Sequence, residues 1–78
     1  MGERFWDNLT LILIEKEMTL VALCRRLFQG QYVYPSEFKR LYQTVRHYKS
    51  EKRIPQSQWV EQIVCILDLD YEDLFRRL

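Results

Sequence analysis

Two prolines, Pro35 and Pro55, bracket a stretch whose apolar residues return at the period of an α-helix. Phe38, Leu41, Tyr42, Val45 and Tyr48 fall three, one, three and three positions apart, the spacing that gathers side chains on one helical face. The residue before Pro35 is driven toward extended backbone, so the chain enters this helix at Pro35 or Ser36. Pro55 cannot continue it, and the pattern fades at about Ser50. Lys39, Arg40, Gln43, Arg46, His47, Lys49 and Ser50 fall largely on the opposite side. The middle of the chain is therefore a basic amphipathic helix, and everything else has to pack against its apolar stripe.

With 78 residues there is room for a single domain spanning 1–78. Two Gly and two Pro leave little scope for a turn-rich, many-stranded fold, which points to an all-α chain. Residues 3–17 read as a first helix carrying Phe5, Leu9, Ile12 and Lys16, with Trp6 and Leu13 on an adjoining stripe. Leu11 and Ile14 make it apolar over more of its circumference than one core face requires. Thr19 is the natural N-cap of a second helix running to about Phe28, with Leu20, Leu23, Cys24 and Leu27 inward. Residues 29–35 are the least regular stretch. A fourth helix covers about 56–67, with Trp59, Val60, Ile63, Val64 and Leu67 inward. Asp70 caps a short fifth helix, Asp73 takes its acidic first turn, and Leu74 and Phe75 close the core.

The net charge of +1 conceals a strong segregation. Residues 1–24 sum to −2, residues 25–53 to +6 and residues 54–78 to −3. A basic centre between acidic flanks marks an anionic partner, the bland alternative being a solvated charged face.

Other classes find no support. No run reaches the ~18 apolar residues of a membrane span, and acidic residues precede the short apolar run from Leu9 to Ile14, unlike a signal peptide. Cys24 and Cys65 lack metal-ligand spacing and the chain has one His, so two buried free thiols in a reducing cytosol are expected, with no metal and no cofactor. There is no nucleophile elbow, no phosphate-cradling Gly run and no convincing carboxylate pair, so the protein is not expected to be an enzyme. Asp68, Asp70, Glu72 and Asp73 lack the Gly and terminal Glu of a calcium loop and read as helix caps.

The order of short motifs is more specific. Helix three ends in small or polar residues followed by Lys52-Arg53-Ile54-Pro55. Ile63, Leu67 and Leu69 follow, then the closing Glu72-Asp73-Leu74-Phe75. Phe5, Leu9, Ile12, Met18 and Thr19 precede it, with Leu23, Cys24 and Leu27 continuing through helix two. This order over most of the chain resembles the lambda-repressor-like (Cro/CI-type, Xre-like) helix-turn-helix family. The resemblance implies a five-helix DNA-binding domain acting as a transcriptional regulator, often a homodimer on twofold half-sites. It departs from the family in one place. An insertion of about ten residues separates helices two and three, between Phe28 and Gln43, extending the turn and lengthening helix three at the end that ordinary members point into the major groove.

On that resemblance Gln43, Thr44, Arg46 and His47 fall where the family reads bases. Gln pairs bidentately with adenine and Arg with guanine, each pair giving ~1–3 kcal/mol of discrimination. Arg25, Arg26, Lys39, Arg40, Lys49, Lys52 and Arg53 would neutralise phosphates. Tyr42 either packs beside Val45 or hydrogen-bonds a phosphate. Trp6, Leu11, Leu13, Ile14, Tyr32, Val33 and Tyr34 exceed what a core of this size needs. They either cover one another, the inserted Tyr-Val-Tyr folding over helix one, or form a partner interface. A second reading keeps the fold but loses the DNA: a protein-interaction module, like phage antagonists or antitoxins, that grips its partner through this patch.

Overall fold

The computed structural model describes residues 2–75. Among these the chain is all-helical: α1 (Glu3–Glu15), α2 (Leu20–Leu27), α3 (Pro35–Ser50), α4 (Ser57–Leu67) and α5 (Tyr71–Phe75). No described helix is long and apolar enough to cross a membrane.

The helix starts follow local chemistry. The Thr19 hydroxyl accepts the Ala22 N–H at 3.1 Å and opens α2. Pro35 is the first residue of α3, where its missing N–H leaves nothing unsatisfied. Ahead of α5 the Asp73 carboxylate accepts the Asp70 N–H at 3.0 Å.

The helix ends obey a different rule. Glu17, Lys52 and Asp68 each adopt left-handed backbone, at φ 54°, 56° and 54°. After each, an N–H reaches back into the helix: Met18 to the Leu13 carbonyl, Arg53 to Tyr48 and Leu69 to Val64, all at 2.9 Å. These are Schellman closures built without the glycine that usually occupies the left-handed position. The first helix therefore stops at Glu15, short of the expected residue 17.

One core joins the helices. Phe5, Leu9 and Ile12 of α1, Leu23, Cys24 and Leu27 of α2, and Val60, Ile63 and Leu67 of α4 are buried, with Phe28 and Leu74 fully enclosed. Phe38 and Val45 are the buried residues of α3. Helix α1 lies against α5, where the Asn8 side-chain amide donates to the Leu74 carbonyl at 2.9 Å and the Phe5 and Phe75 rings meet at 5.7 Å. Helix α2 lies against both α3 and α4. At its end Phe28 meets Trp59 edge to face at 5.4 Å, and Trp59 meets Tyr48 of α3 in the same way at 5.6 Å. Trp59 thus pins the C-terminal half of α3 to the bundle.

Several expectations need correction. Trp6 and Leu13 belong to the core, at 5% and 7% exposure, and are no part of a surface patch. Trp6 is held there by its indole N–H, which donates to the Arg53 carbonyl at 2.8 Å. Tyr32 is half-buried and packs on Phe38 of α3 at 5.0 Å. Leu11, Ile14, Val33 and Tyr34 remain exposed. The thiols are both free, but Cys65 is exposed and only Cys24 is buried. Arg76 and Arg77 lie outside the described residues.

Candidate nucleic-acid interface

Residues 28–34 connect α2 to α3, turning through Gly30 at φ 84°. This conformation suits glycine, and the position is open. The connection ends in a rigid joint. The Glu37 carboxylate accepts the backbone N–H groups of Tyr34 at 2.9 Å and Val33 at 3.1 Å. Those two bonds, with Arg40 nearby, hold the Glu37 carboxyl below the usual carboxylate range. The acid on this helix start is thereby turned back onto its own backbone.

Beyond that joint, α3 presents a graded surface. Gln43, Arg46, His47 and Ser50 line one open hollow of about 450 Å³. A neighbouring hollow of about 520 Å³ joins Arg46 and Ser50 to Lys49, Lys52, Tyr42 and Leu20. Lys39 and Arg40 stand exposed nearer the start of the helix. Most of the residues expected to read bases and neutralise phosphates therefore share the exposed face of one helix.

The guanidinium groups are positioned by aromatic rings. Arg46 lies over Tyr42 at 6.0 Å, Arg25 over Phe38 at 5.0 Å and Arg53 over Tyr48 at 5.1 Å. Phe38 and Tyr42 stack nearly parallel at 6.1 Å, so Tyr32, Phe38, Tyr42 and Arg46 form a continuous ladder. Tyr42 is half-buried and packs, as one of its two expected roles requires. Cation–π contacts of this kind restrict a flexible Arg without using its N–H donors.

Other expected residues are less available. The Thr44 hydroxyl donates to the Arg40 carbonyl at 3.1 Å. Glu51 takes up two members of the basic group, His47 at 3.3 Å and Arg53 at 3.2 Å. Arg26 lines a separate hollow of about 490 Å³ with Gln62 and Cys65 of α4. Glu3 and Asp7 of α1 share a hollow with Lys49 and Lys52, so the acidic first segment adjoins the basic one in space. A sum of charge along the chain has no access to that proximity. Sequence reasoning also missed Ser50 as a lining residue, although its place one turn from Arg46 and His47 was the signal that could have found it. Among the described residues no group of three or more His, Cys, Asp or Glu side chains is arranged to hold a metal ion. No protein-family model matches the chain, and comparison with curated proteins and with solved structures returns no match.

Proposed function

We propose that this protein binds duplex DNA through the exposed face of α3 and acts in the cytoplasm as a small repressor-like regulator of helix-turn-helix type. The observation that carries this reading is the sharing of one helical surface by Gln43, Arg46 and His47, flanked by Lys39, Arg40, Lys49 and Lys52. Planar donors suited to base edges sit in the middle and cations suited to phosphates lie on either side, the division of labour that protein–DNA contacts follow. The Tyr42 ring beneath Arg46 supports the same reading, because a held guanidinium loses less freedom on pairing with a base.

The test is a titration of labelled duplex at about 50 mM salt, repeated at rising salt. Binding is expected, with log affinity falling linearly against log salt. Replacing Lys39, Arg40 and Arg46 with Ala should weaken binding and lower that slope by about two, one for each of Lys39 and Arg40 removed from the phosphates, with the loss at Arg46 falling on base discrimination. A folded protein that binds no duplex at low salt rules the proposal out.

A second reading, a protein-interaction module, is favoured by one observation. Ile14 is 67% exposed beside a small apolar hollow lined by Leu9, Leu13 and Met18. Loss of a partner on Ile14→Ser, with DNA binding absent, is the result that this reading expects.

A further inference from the structure

The outer side of α1 carries Asp7, Leu11 and Ile14 at helical spacing, all three exposed. Beside them lies a hollow of about 160 Å³, lined by Leu9, Leu13, Met18 and Leu20 and by Lys49 of α3. Ile14 borders it too, but at 67% exposure it projects from the edge and does not fill the space. A cavity of ~150 Å³ holds a benzene-sized group, so this hollow has room for one isoleucine side chain.

Charge narrows what can sit there. The adjoining hollow places Glu3 and Asp7 of α1 with Lys49 and Lys52, and Trp6, Thr10 and Lys49 line both spaces. Among the described residues none of these two carboxylates and two ammonium groups closes an ion pair within the chain. One surface thus holds an apolar knob, an apolar socket, an acidic row on α1 and a basic row at the end of α3. Each feature has its complement on that same surface, the condition for an isologous contact about a twofold axis. A partner of other sequence must supply all four features, whereas a second copy of the chain carries them already.

We propose that this surface receives a second copy of the chain, Ile14 of each copy entering the hollow of the other and Asp7 of each facing the other's Lys49. The proposal takes its surface from the protein-interaction reading, names the occupant, and requires nothing of the DNA reading. Of the residues assigned to DNA only Lys49 and Lys52 line the two hollows.

The experiment is sedimentation equilibrium of the full chain at low salt, with a reductant present because Cys65 is exposed. At high micromolar concentration the protein should show twice the mass of one chain. Ile14→Ser should weaken association about a hundredfold, tenfold for each isoleucine withdrawn from a hollow. Asp7→Lys and Lys49→Glu should each be monomeric alone, and an equimolar mixture of the two should recover the dimer. In the mixed pair both contacts again join opposite charges, whereas a contact between Asp7 and Lys49 inside one chain cannot be restored by mixing. All three residues are exposed, so the variants should keep their helical circular dichroism. If either charge-reversed chain loses that signal, Ile14→Ser decides alone. A monomer at every concentration, an association that Ile14→Ser leaves unchanged, or a mixture of folded variants that stays monomeric overturns the proposal. Titrating the same samples with duplex separates it from the DNA reading. A monomer that binds duplex overturns the second copy and leaves DNA binding standing, and a monomer that binds none overturns both.

Discussion

The indole N–H of Trp6 donates to the backbone carbonyl of Arg53 at 2.8 Å, linking the first helix to the segment that leaves the basic helix across 47 positions of chain. Gly2 backs the same joint, where an added Cβ would collide with the Lys52 carbonyl. The exit of α3 is thus held by α1 and not only by its own helix end. Trp6→Phe keeps a ring beside Phe5, which now meets Trp6 edge to face at 5.1 Å, but removes the donor. Urea unfolding should show a loss of about 1–2 kcal/mol, the worth of a part-buried hydrogen bond plus imperfect packing.

Glu51 pairs with Arg53, expected to meet a phosphate, and with His47, expected to meet a base, and so competes with DNA for both. Glu51→Gln should raise affinity for duplex DNA about threefold at low salt, with the gain shrinking as salt rises. All of these side chains are exposed, so thermal stability should change by less than about 0.5 kcal/mol. Paired salt titrations of the two proteins measure the first effect, and their thermal melts measure the second.

Glu37 gives the fold a defined acid sensitivity. Its carboxyl is held low by the Tyr34 N–H, then the Val33 N–H, so its folded pKa lies below its unfolded one. The stabilisation is complete above the unfolded-state pKa and disappears as pH falls through the folded value. Between neutral pH and strong acid, Glu37→Gln should lose less stability than the native chain. Denaturant midpoints taken across the acid range provide the comparison.

The thiols should differ sharply. Burial pushes Cys24 up to about 12, whereas Cys65 is exposed on α4. A chromogenic disulfide at neutral pH should titrate one thiol rapidly in the native protein and two after denaturation. Cys65→Ser should abolish the fast phase.

Much of the framework was legible in the residues. Thr19 and Pro35 announce helix starts through chemistry that acts within one turn, and the stripes Phe5-Leu9-Ile12 and Leu23-Cys24-Leu27 emerge buried as spaced. The helix ends were harder to read. Glu17, Lys52 and Asp68 take a backbone conformation for which glycine is the usual signal, and none of them is glycine. Asn8, fully buried and bonded to Leu74, stands three residues after Phe5 and four before Ile12, where helical spacing points inward and only its polarity argues for the surface. Arg26 and Arg46 both belong to the basic stretch, yet they line different hollows because they stand on different helices.

Spacing and caps, acting over a few residues, were enough to specify five helices, their starts and the basic character of the third. Packing between distant segments made the remaining choices. It drew Trp6 and Leu13 into the core, set Glu3 and Asp7 beside Lys49 and Lys52, and left Val33 and Tyr34 outside on a rigid joint. The physical reason is one of range. A helix period states which residues share a face, but burial and charge proximity depend on which other helix meets that face.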